Sequence, residues 1–329
     1  MRPLSDTELA GVCIAGMHRS GTSLLAKLLM RLGLDLGDEA TLIPSDAGDN
    51  PDGYFEQAAF VALDDELLAM LGGHVSAPAP VAPGWEREPR FAESRLRAAA
   101  LVGETFARSP WGFKDPRAAL VLPFWRAVVP GLRVIVCVRN PAEVAASMLR
   151  RHADPGWDHW MRMWLRHTAE ALTGSAGAER LVVHYDDLVA EPERVLRRAG
   201  AFALGREPGG EAVGAAAQEV EPSRRTGAVG LGELLEDPRV PPEVAAAYAT
   251  LRTGGTLDGA TRVLAGLHEA LEGRAEVALA ARTRQVAQLR AALADAAAEL
   301  ESARSAVPVA PLPAEERPSR LGRALRRRR

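Results

Sequence analysis

The sequence has few residues of the kinds that mark several protein classes. Only two of its 329 residues are cysteine, Cys13 and Cys137, and both lie within apolar runs. We expect them in the core rather than in a disulfide or a metal site, and no zinc-type spacing of cysteine and histidine is present. The sequence contains no run of about 18 apolar residues, so it predicts no membrane span, and residues 1–11 lack the composition of a secretory signal. We therefore expect a cytoplasmic protein without a bound metal.

Charge is unevenly distributed along the chain. The formal net charge is −3, but arginines crowd residues 317–329, so the remainder of the chain is clearly acidic. An acidic body does not attract nucleic acid. The basic tail is compatible with three roles. It could contact an anionic surface at the inner face of the membrane, dock on a partner, or simply be solvated.

Residues 16–23 form a polar loop between an apolar run and an amphipathic helical pattern. Such a strand, turn and helix start aims backbone N–H groups and the positive end of a helix dipole at one point, as phosphate-binding loops do. The spacing from Gly16 to Gly21 matches the nucleotide-triphosphate P-loop, yet Thr22 stands where that loop carries lysine, and the loop's cation is Arg19. This departure disfavours a kinase and favours a different anhydride. The alternative is a glycine turn that only joins a strand to a helix.

Strand-like and helical patterns alternate along the first 250 residues. Alternation of this kind predicts an α/β fold with a parallel sheet flanked by helices, similar to P-loop nucleotide hydrolases. Strands are predicted at 11–15, 111–114, 133–138 and 180–185. Ligands of such sheets bind beyond the carboxyl ends of the strands. Four candidate side chains fall there: Arg19, Lys114, Arg139 and Tyr185.

The composition changes near Gly255. Residues 255–306 are rich in alanine and carry apolar side chains in heptad spacing over about three heptads, which predicts either a short coiled coil that makes a homo-oligomer or a single helix packed back on the domain. Residues 307–329 are a Pro-rich linker and the basic tail, predicted to be disordered. We therefore expect a catalytic domain at 1–254, a helical extension at 255–306 and a disordered tail.

A second motif follows the predicted strand 133–138. Arg139 ends that strand and Ser147 lies about two turns into the next helix, so that a guanidinium and a hydroxyl can face one phosphate. Together with the loop at 16–23, this pair resembles the two nucleotide-binding motifs of sulfotransferases that use 3′-phosphoadenosine 5′-phosphosulfate. The resemblance covers roughly residues 11–230 and includes the segments 50–56, 114–117 and 185–192.

The resemblance implies an enzyme that moves a sulfonate group from 3′-phosphoadenosine 5′-phosphosulfate to an acceptor hydroxyl without a metal. It implies that Arg139 and Ser147 hold the 3′-phosphate and that the loop cradles the 5′-phosphosulfate with Arg19, Ser20, Gly21, Thr22 and Ser23. An arginine at position 19 is more similar to the carbohydrate and protein-tyrosine branches, which points to a sugar or a large acceptor. The alternatives are a magnesium-dependent P-loop kinase acting on a small molecule, and an inert scaffold.

Candidate catalytic residues are few. Arg19 would stabilise charge on the leaving phosphate. Lys114 is one of only two lysines among the 40 basic residues of the chain. This suggests that its ammonium group supplies a compact positive charge that contacts the sulfonate or the acceptor. An ion pair of Lys114 with Asp115 or a neighbouring acid is the alternative. For the general base we favour Glu56, with His18 as its close rival.

Weaker candidates complete the predicted donor site. Tyr185 would border the adenine, and the late basic loop containing Arg224 and Arg225 would reach the 3′-phosphate. Three tryptophans at helical spacing are expected to be core residues or an acceptor platform: Trp157, Trp160 and Trp164. The sequence does not identify the acceptor.

Overall fold

The structure, a computed structural model, describes residues 11–46, 50, 53–106, 108–151, 154–225 and 227–306. The predicted linker and basic tail at 307–329 lie outside the described residues, as does the side chain of Arg224.

Four short strands form one parallel sheet with the order β2-β1-β3-β4. They are β1 (Gly11–Ala15), β2 (Trp111–Lys114), β3 (Arg133–Val138) and β4 (Arg180–His184). Their residues are almost all buried, as expected for parallel strands covered on both faces. All four strands were predicted from their apolar runs. One boundary was wrong: Tyr185 does not end β4 but begins the next helix, which follows the strand directly.

Helices connect and cover the strands. In chain order they are α1 (Thr22–Arg31), α2 (Ala58–Met70), α3 (Ala92–Thr105), α4 (Ala118–Val128), α5 (Pro141–Arg151), α6 (Trp157–Gly174), α7 (Tyr185–Ala190), α8 (Pro192–Leu204), α9 (Gly210–Gln218), α10 (Leu231–Glu236), α11 (Pro242–Thr253) and α12 (Leu257–Ala306). Among these described helices, none combines the length and the apolar content that crossing a membrane requires.

Alternate side chains of the strands enter two separate cores. Val12 and Ile14 of β1 pack with apolar residues of α1, α8 and α9, whereas Cys13 and Ala15 pack with those of α2 to α6. This is the two-residue periodicity of a strand, with helices on both faces as predicted. Cys13 and Cys137 are free and buried, and burial raises the pKa of both thiols, to about 12 for Cys137.

The strand order places a crevice at the carboxyl end of β1. The chain leaves β1 for β2 on one side, while β3 lies on the other side of β1. In sheets of this type, ligands bind where the strand order changes direction. The segments that follow β1 and β3, which begin at Gly16 and Arg139, therefore meet at this edge of the sheet.

The chain divides into two units, Met1–Glu272 and Gly273–Arg329. Within the first unit, Leu264 and Leu271 of α12 are buried in the core. Within the second unit, Leu279, Leu289 and Leu293 are 67%, 63% and 72% exposed. The predicted extension forms a single long helix, and its start at residue 255 and its coiled-coil pairing stay predictions.

Candidate active site

The loop after β1 turns so tightly that two of its residues must be glycine. Gly16 and Gly21 have φ angles of 145° and 87°, a region that side chains with a Cβ rarely adopt. A Cβ on Gly16 would lie 2.5 Å from the carbonyl oxygen of Cys137, and one on Gly21 would lie 2.5 Å from a ring carbon of Tyr185. The loop therefore packs directly against β3 and the start of α7.

The loop leads into the N terminus of α1, where an anion with several oxygens fits. Gly21 is the N-cap of this helix, and the first-turn N–H groups of a helix have no intrahelical partners. Ser20 is only 1% exposed, and its hydroxyl has no partner among the described residues. A buried hydroxyl of this kind beside a helix N terminus suits a phosphate-like ligand. No cluster of His, Cys, Asp or Glu in the described part of the chain could hold a metal ion.

The second predicted motif contacts the loop. Arg19 donates from Nε to the hydroxyl of Ser147 at 2.9 Å. Arg139 donates from Nη1 to the carbonyl oxygen of Arg19 at 3.2 Å, and its guanidinium lies 4.4 Å from the ring centre of Tyr185. Four residues predicted from separate motifs thus form one contiguous cluster.

Glu143, which the sequence analysis missed, joins two arginines of this cluster. It accepts hydrogen bonds from Arg139 Nε at 2.9 Å and from Arg225 Nη2 at 2.6 Å, and Arg225 also lies 2.8 Å from Asp186. Burial acts to raise the pKa of Glu143, but hydrogen bonds from Arg225, the Val229 N–H and Arg139 outweigh it and lower the pKa. Its position four residues after Arg139 on a helix was the available signal.

The three predicted tryptophans divide between core and pocket. Trp164 is fully buried and donates from Nε1 to the carbonyl oxygen of Arg139 at 2.9 Å, so it fixes the start of the second motif from within the core. Trp157 is partly buried and bonds the carbonyl oxygen of Arg239. Trp160 lines a pocket beside the loop.

Lys114 and Glu56 form a buried ion pair next to the loop. Lys114 Nζ lies 2.6 Å from Glu56 Oε1 and also donates to Ser23 Oγ and to the carbonyl oxygen of Tyr54, each at 3.0 Å. The two side chains are 2% and 7% exposed. These contacts use all three N–H donors of the ammonium group. The ion-pair alternative for Lys114 is therefore present, with Glu56 rather than Asp115 as its partner, and a contact with substrate stays a prediction.

A pocket of about 290 Å³ opens beside the loop. Its lining includes Met17, His18, Val75, Arg117, Met148 and Trp160. His18 thus faces this pocket while the next residue, Arg19, faces Ser147. Burial lowers the pKa of His18 well below its usual value, and the imidazole of His167 and the charges of three basic residues add to the effect.

Two carboxyl groups, those of Asp115 and Asp64, are fully buried. Asp115 accepts a hydrogen bond from the Arg117 N–H at 2.9 Å, and Asp64 accepts one from Trp125 Nε1 at 2.7 Å. Burial raises the pKa of both acids, to about 6 for Asp115, and the charge of Asp115 further raises the pKa of Asp64. The Oδ2 atom of each acid has no hydrogen-bond partner among the described residues, which favours the protonated carboxyl group over the carboxylate.

Comparison with known proteins identifies the family. The sequence profile of the Sulfotransferase family matches residues 11–204, more than half of the chain. Similar solved structures include the sulfotransferase domain of the Synechococcus PCC 7002 olefin synthase, with 17% identity, 79% of this chain and 94% of that chain covered, and a TM-score of 0.39.

Two further structures are similar at this level. Sulfotransferase STF9 from Mycobacterium avium has 14% identity, covers 79% of this chain and 76% of its own, and has a TM-score of 0.42. Retinol dehydratase in complex with androsterone and the inactive cofactor PAP has 13% identity, covers 71% of this chain and 67% of its own, and has a TM-score of 0.33. Comparison with curated proteins gives no match. The family profile spans both predicted phosphate-binding motifs of the cluster around Arg19, and the chain therefore belongs to the sulfotransferase family of enzymes.

Proposed function

We propose that this sulfotransferase moves a sulfonate group from 3′-phosphoadenosine 5′-phosphosulfate to an acceptor hydroxyl, with sugars as the first class of acceptor to test. The observation that supports the donor most directly is the contact between the two phosphate-binding motifs, in which Arg19 bonds Ser147 and Arg139 bonds the backbone of Arg19. One nucleotide that carries phosphate at both its 5′ and 3′ positions would span these motifs.

In this proposal the loop receives the 5′-phosphosulfate. The first-turn N–H groups of α1 and the hydroxyls of Ser20, Thr22 and Ser23 would donate to its oxygens. Besides the two bonds described above, Arg139 Nη2 lies 2.9 Å from Glu143 Oε2, so three of its five N–H donors are used and two remain for the 3′-phosphate.

The adenosine end of the donor would lie beyond Arg139. Tyr185 would border the adenine there, and the loop containing Arg224 and Arg225 would approach the 3′-phosphate, with Arg225 oriented by Glu143 and Asp186.

The proposed reaction is an in-line displacement at sulfur. The acceptor oxygen forms a bond to sulfur while the bond from sulfur to the 5′-phosphate oxygen breaks, so that 3′-phosphoadenosine 5′-phosphate leaves. Arg19 and the N–H groups of the loop would stabilise the charge that develops on this phosphate. The proton of the acceptor hydroxyl passes to a base, for which Glu56 and His18 are the two candidates.

Calorimetric titration tests the donor. We expect 3′-phosphoadenosine 5′-phosphate to bind more tightly than ATP with magnesium; tighter binding of ATP would instead support the kinase. Arg139→Met should lower the affinity for 3′-phosphoadenosine 5′-phosphate by about 10- to 100-fold, the effect of losing charge-assisted hydrogen bonds. It should leave the affinity for adenosine 5′-phosphate unchanged, because that ligand has no 3′-phosphate.

The matched control is Arg87→Met, since the Arg87 side chain is 85% exposed on the surface. This variant should bind both nucleotides as the wild type does. A panel of sugars and matched simple alcohols with labelled donor then tests the acceptor. Turnover confined to the simple alcohols would contradict the sugar class, and donor binding without any turnover would support the inert scaffold.

A further inference from the structure

The two candidate bases lie in different surroundings. Glu56 is enclosed with Lys114, at 2.6 Å from its ammonium group, and its side chain is 7% exposed. A carboxylate held this way must give up an ion pair before it can accept a proton. His18 instead lines the pocket beside the loop, directly before Arg19 in the chain. A molecule in this pocket would reach the imidazole of His18 before it reached Glu56.

A second imidazole stands behind His18. His167 of α6 is fully buried, and its ring centre lies 6.3 Å from that of His18 with the planes at 68°. Nδ1 of His167 lies 2.8 Å from the carbonyl oxygen of Met163, which can only accept, so Nδ1 carries the proton. Nε2 is then unprotonated and can accept a hydrogen bond, and it has no partner among the described residues.

The spacing of the two rings suits a bridging water. A direct N–H···N bond would bring the ring centres to roughly 5 Å, whereas one bridging water would place them about 6–7 Å apart. Buried waters are found where polar groups are otherwise unsatisfied. A water bonded to His167 Nε2 would accept the N–H of His18 and so fix which nitrogen of His18 carries its proton.

We propose that His18 is the general base of the sulfonate transfer and that His167 is a positioning residue that orients it. This inference rests on the proposed function. The bare nitrogen of His18 takes the proton from the acceptor hydroxyl as its oxygen bonds to sulfur, and the 5′-phosphate leaves with the electron pair of the broken bond. The imidazolium then returns its proton to solvent through the pocket.

The charged groups around His18 keep it neutral before the reaction. Arg117 just before α4, Arg151 of α5 and Lys114 of β2 face it, and Asp154 lies on the pocket wall. Together with burial, the three cations lower the pKa of His18, and the pKa of His167 is lowered to about 4, chiefly by burial. Both rings are therefore unprotonated at neutral pH. A bound donor brings negative charge next to Arg19, and this charge makes it easier for His18 to accept a proton.

The decisive comparison is His18→Gln against Glu56→Gln. His18→Gln should lower kcat by about 100-fold or more, the usual effect of losing a general base, and should abolish the fall of kcat at acidic pH. Its affinity for 3′-phosphoadenosine 5′-phosphate should be unchanged. Glu56→Gln should retain this fall of kcat at acidic pH, the acidic limb of the pH profile, even if the substitution destabilises the protein. An acidic limb that persists in His18→Gln and disappears in Glu56→Gln would overturn the inference.

His167→Leu and His167→Gln test the positioning role. Without the acceptor, the His18 ring can turn its bare nitrogen away from the acceptor hydroxyl, so His167→Leu should lower the plateau of kcat and leave KM unchanged. The side-chain oxygen of His167→Gln should restore part of that plateau. A plateau equally low in His167→Leu and His167→Gln would assign His167 a structural role only, and would overturn that half of the inference.

Controls separate this inference from the donor assignment. His268→Gln, on α12 and away from the pocket lining, should match the wild type. A wild type that fails to bind 3′-phosphoadenosine 5′-phosphate overturns the proposed function. A wild type that binds and turns over, with His18→Gln equally active, overturns the role of His18 alone.

Discussion

Gly21 carries the strictest constraint in the loop, because both its backbone angle and its neighbour exclude a side chain. Its φ is 87°, and a Cβ would lie 2.5 Å from the ring of Tyr185. Gly33 has a similar φ of 103° with nothing within 4 Å of its Cβ position. The two glycines therefore separate backbone strain from a collision inside the proposed donor site.

We expect Gly33→Ala to cost about 1 kcal/mol of stability through the left-handed backbone alone and to leave donor affinity unchanged. Gly21→Ala should cost a similar strain and also lower the affinity for 3′-phosphoadenosine 5′-phosphate by at least about tenfold, because Tyr185 must move. Urea unfolding and calorimetric titration measure the two effects. Equal donor affinity in both variants would show that the packing of Tyr185 on the loop has no part in binding.

Individual residues differ in how far the sequence could predict them. The eight-residue spacing of Arg139 and Ser147 and the rarity of lysine singled out the second motif and Lys114. The ion pair of Lys114 with Glu56 was not deducible as a pair, because its partners lie 58 positions apart and meet only through the fold. Glu143 was missed because a glutamate after an arginine on a helix is usually solvated.

The buried acid pair joins two segments of the structure. Asp64 belongs to α2 and bonds Trp125 of α4, while Asp115 follows β2 and bonds the backbone of Arg117. Asp64 therefore connects α2 to α4, and Asp115 holds the turn that leads from β2 into α4. Because the pKa of each acid is raised in the folded protein, folding retains a proton that the unfolded chain releases.

This proton predicts a pH dependence of stability. Between pH about 4 and about 6 the folded protein binds more protons than the unfolded chain, so stability falls as pH rises, by up to about 1.4 kcal/mol per pH unit for one proton. Asp64→Asn replaces the protonated acid by an amide, whose oxygen can still accept from Trp125. We expect it to flatten this slope and to gain stability over the wild type above pH 6 but not at pH 4.

Urea unfolding at a series of pH values measures the slope, and Asp65→Asn is the matched control because Asp65 is half-exposed and adjacent in sequence. A slope unchanged in Asp64→Asn would show that Asp64 does not retain a proton in the folded protein.

Secondary-structure elements were predicted better than their arrangement. The apolar runs identified every strand of the described sheet, since parallel strands buried on both faces are continuously apolar. Which helices cover which face was not predictable, because that depends on the strand order. The boundary at Tyr185 was misjudged for a local reason: the strand passes into α7 without an intervening turn.

At the scale of the whole molecule, α12 carries the prediction of self-association. Its second-unit part exposes Leu289 and Leu293 in the predicted heptad positions. We expect the wild type to form a dimer or a larger oligomer in sedimentation, and Leu289→Glu with Leu293→Glu to reduce it to a monomer. Leu96→Glu, at a leucine that is 74% exposed on α3, should leave the mass unchanged. A monomeric wild type would contradict the coiled coil and favour an unpaired helix.

The buried cysteines have a practical consequence for watching this enzyme at work. Thiols with raised pKa values inside β1 and β3 stay in the unreactive protonated form and out of reach of maleimides. A cysteine introduced at the pocket-lining Ser76 would then take up a fluorescent or spin label alone. Such a reporter would follow acceptor entry in real time, without first removing any native cysteine.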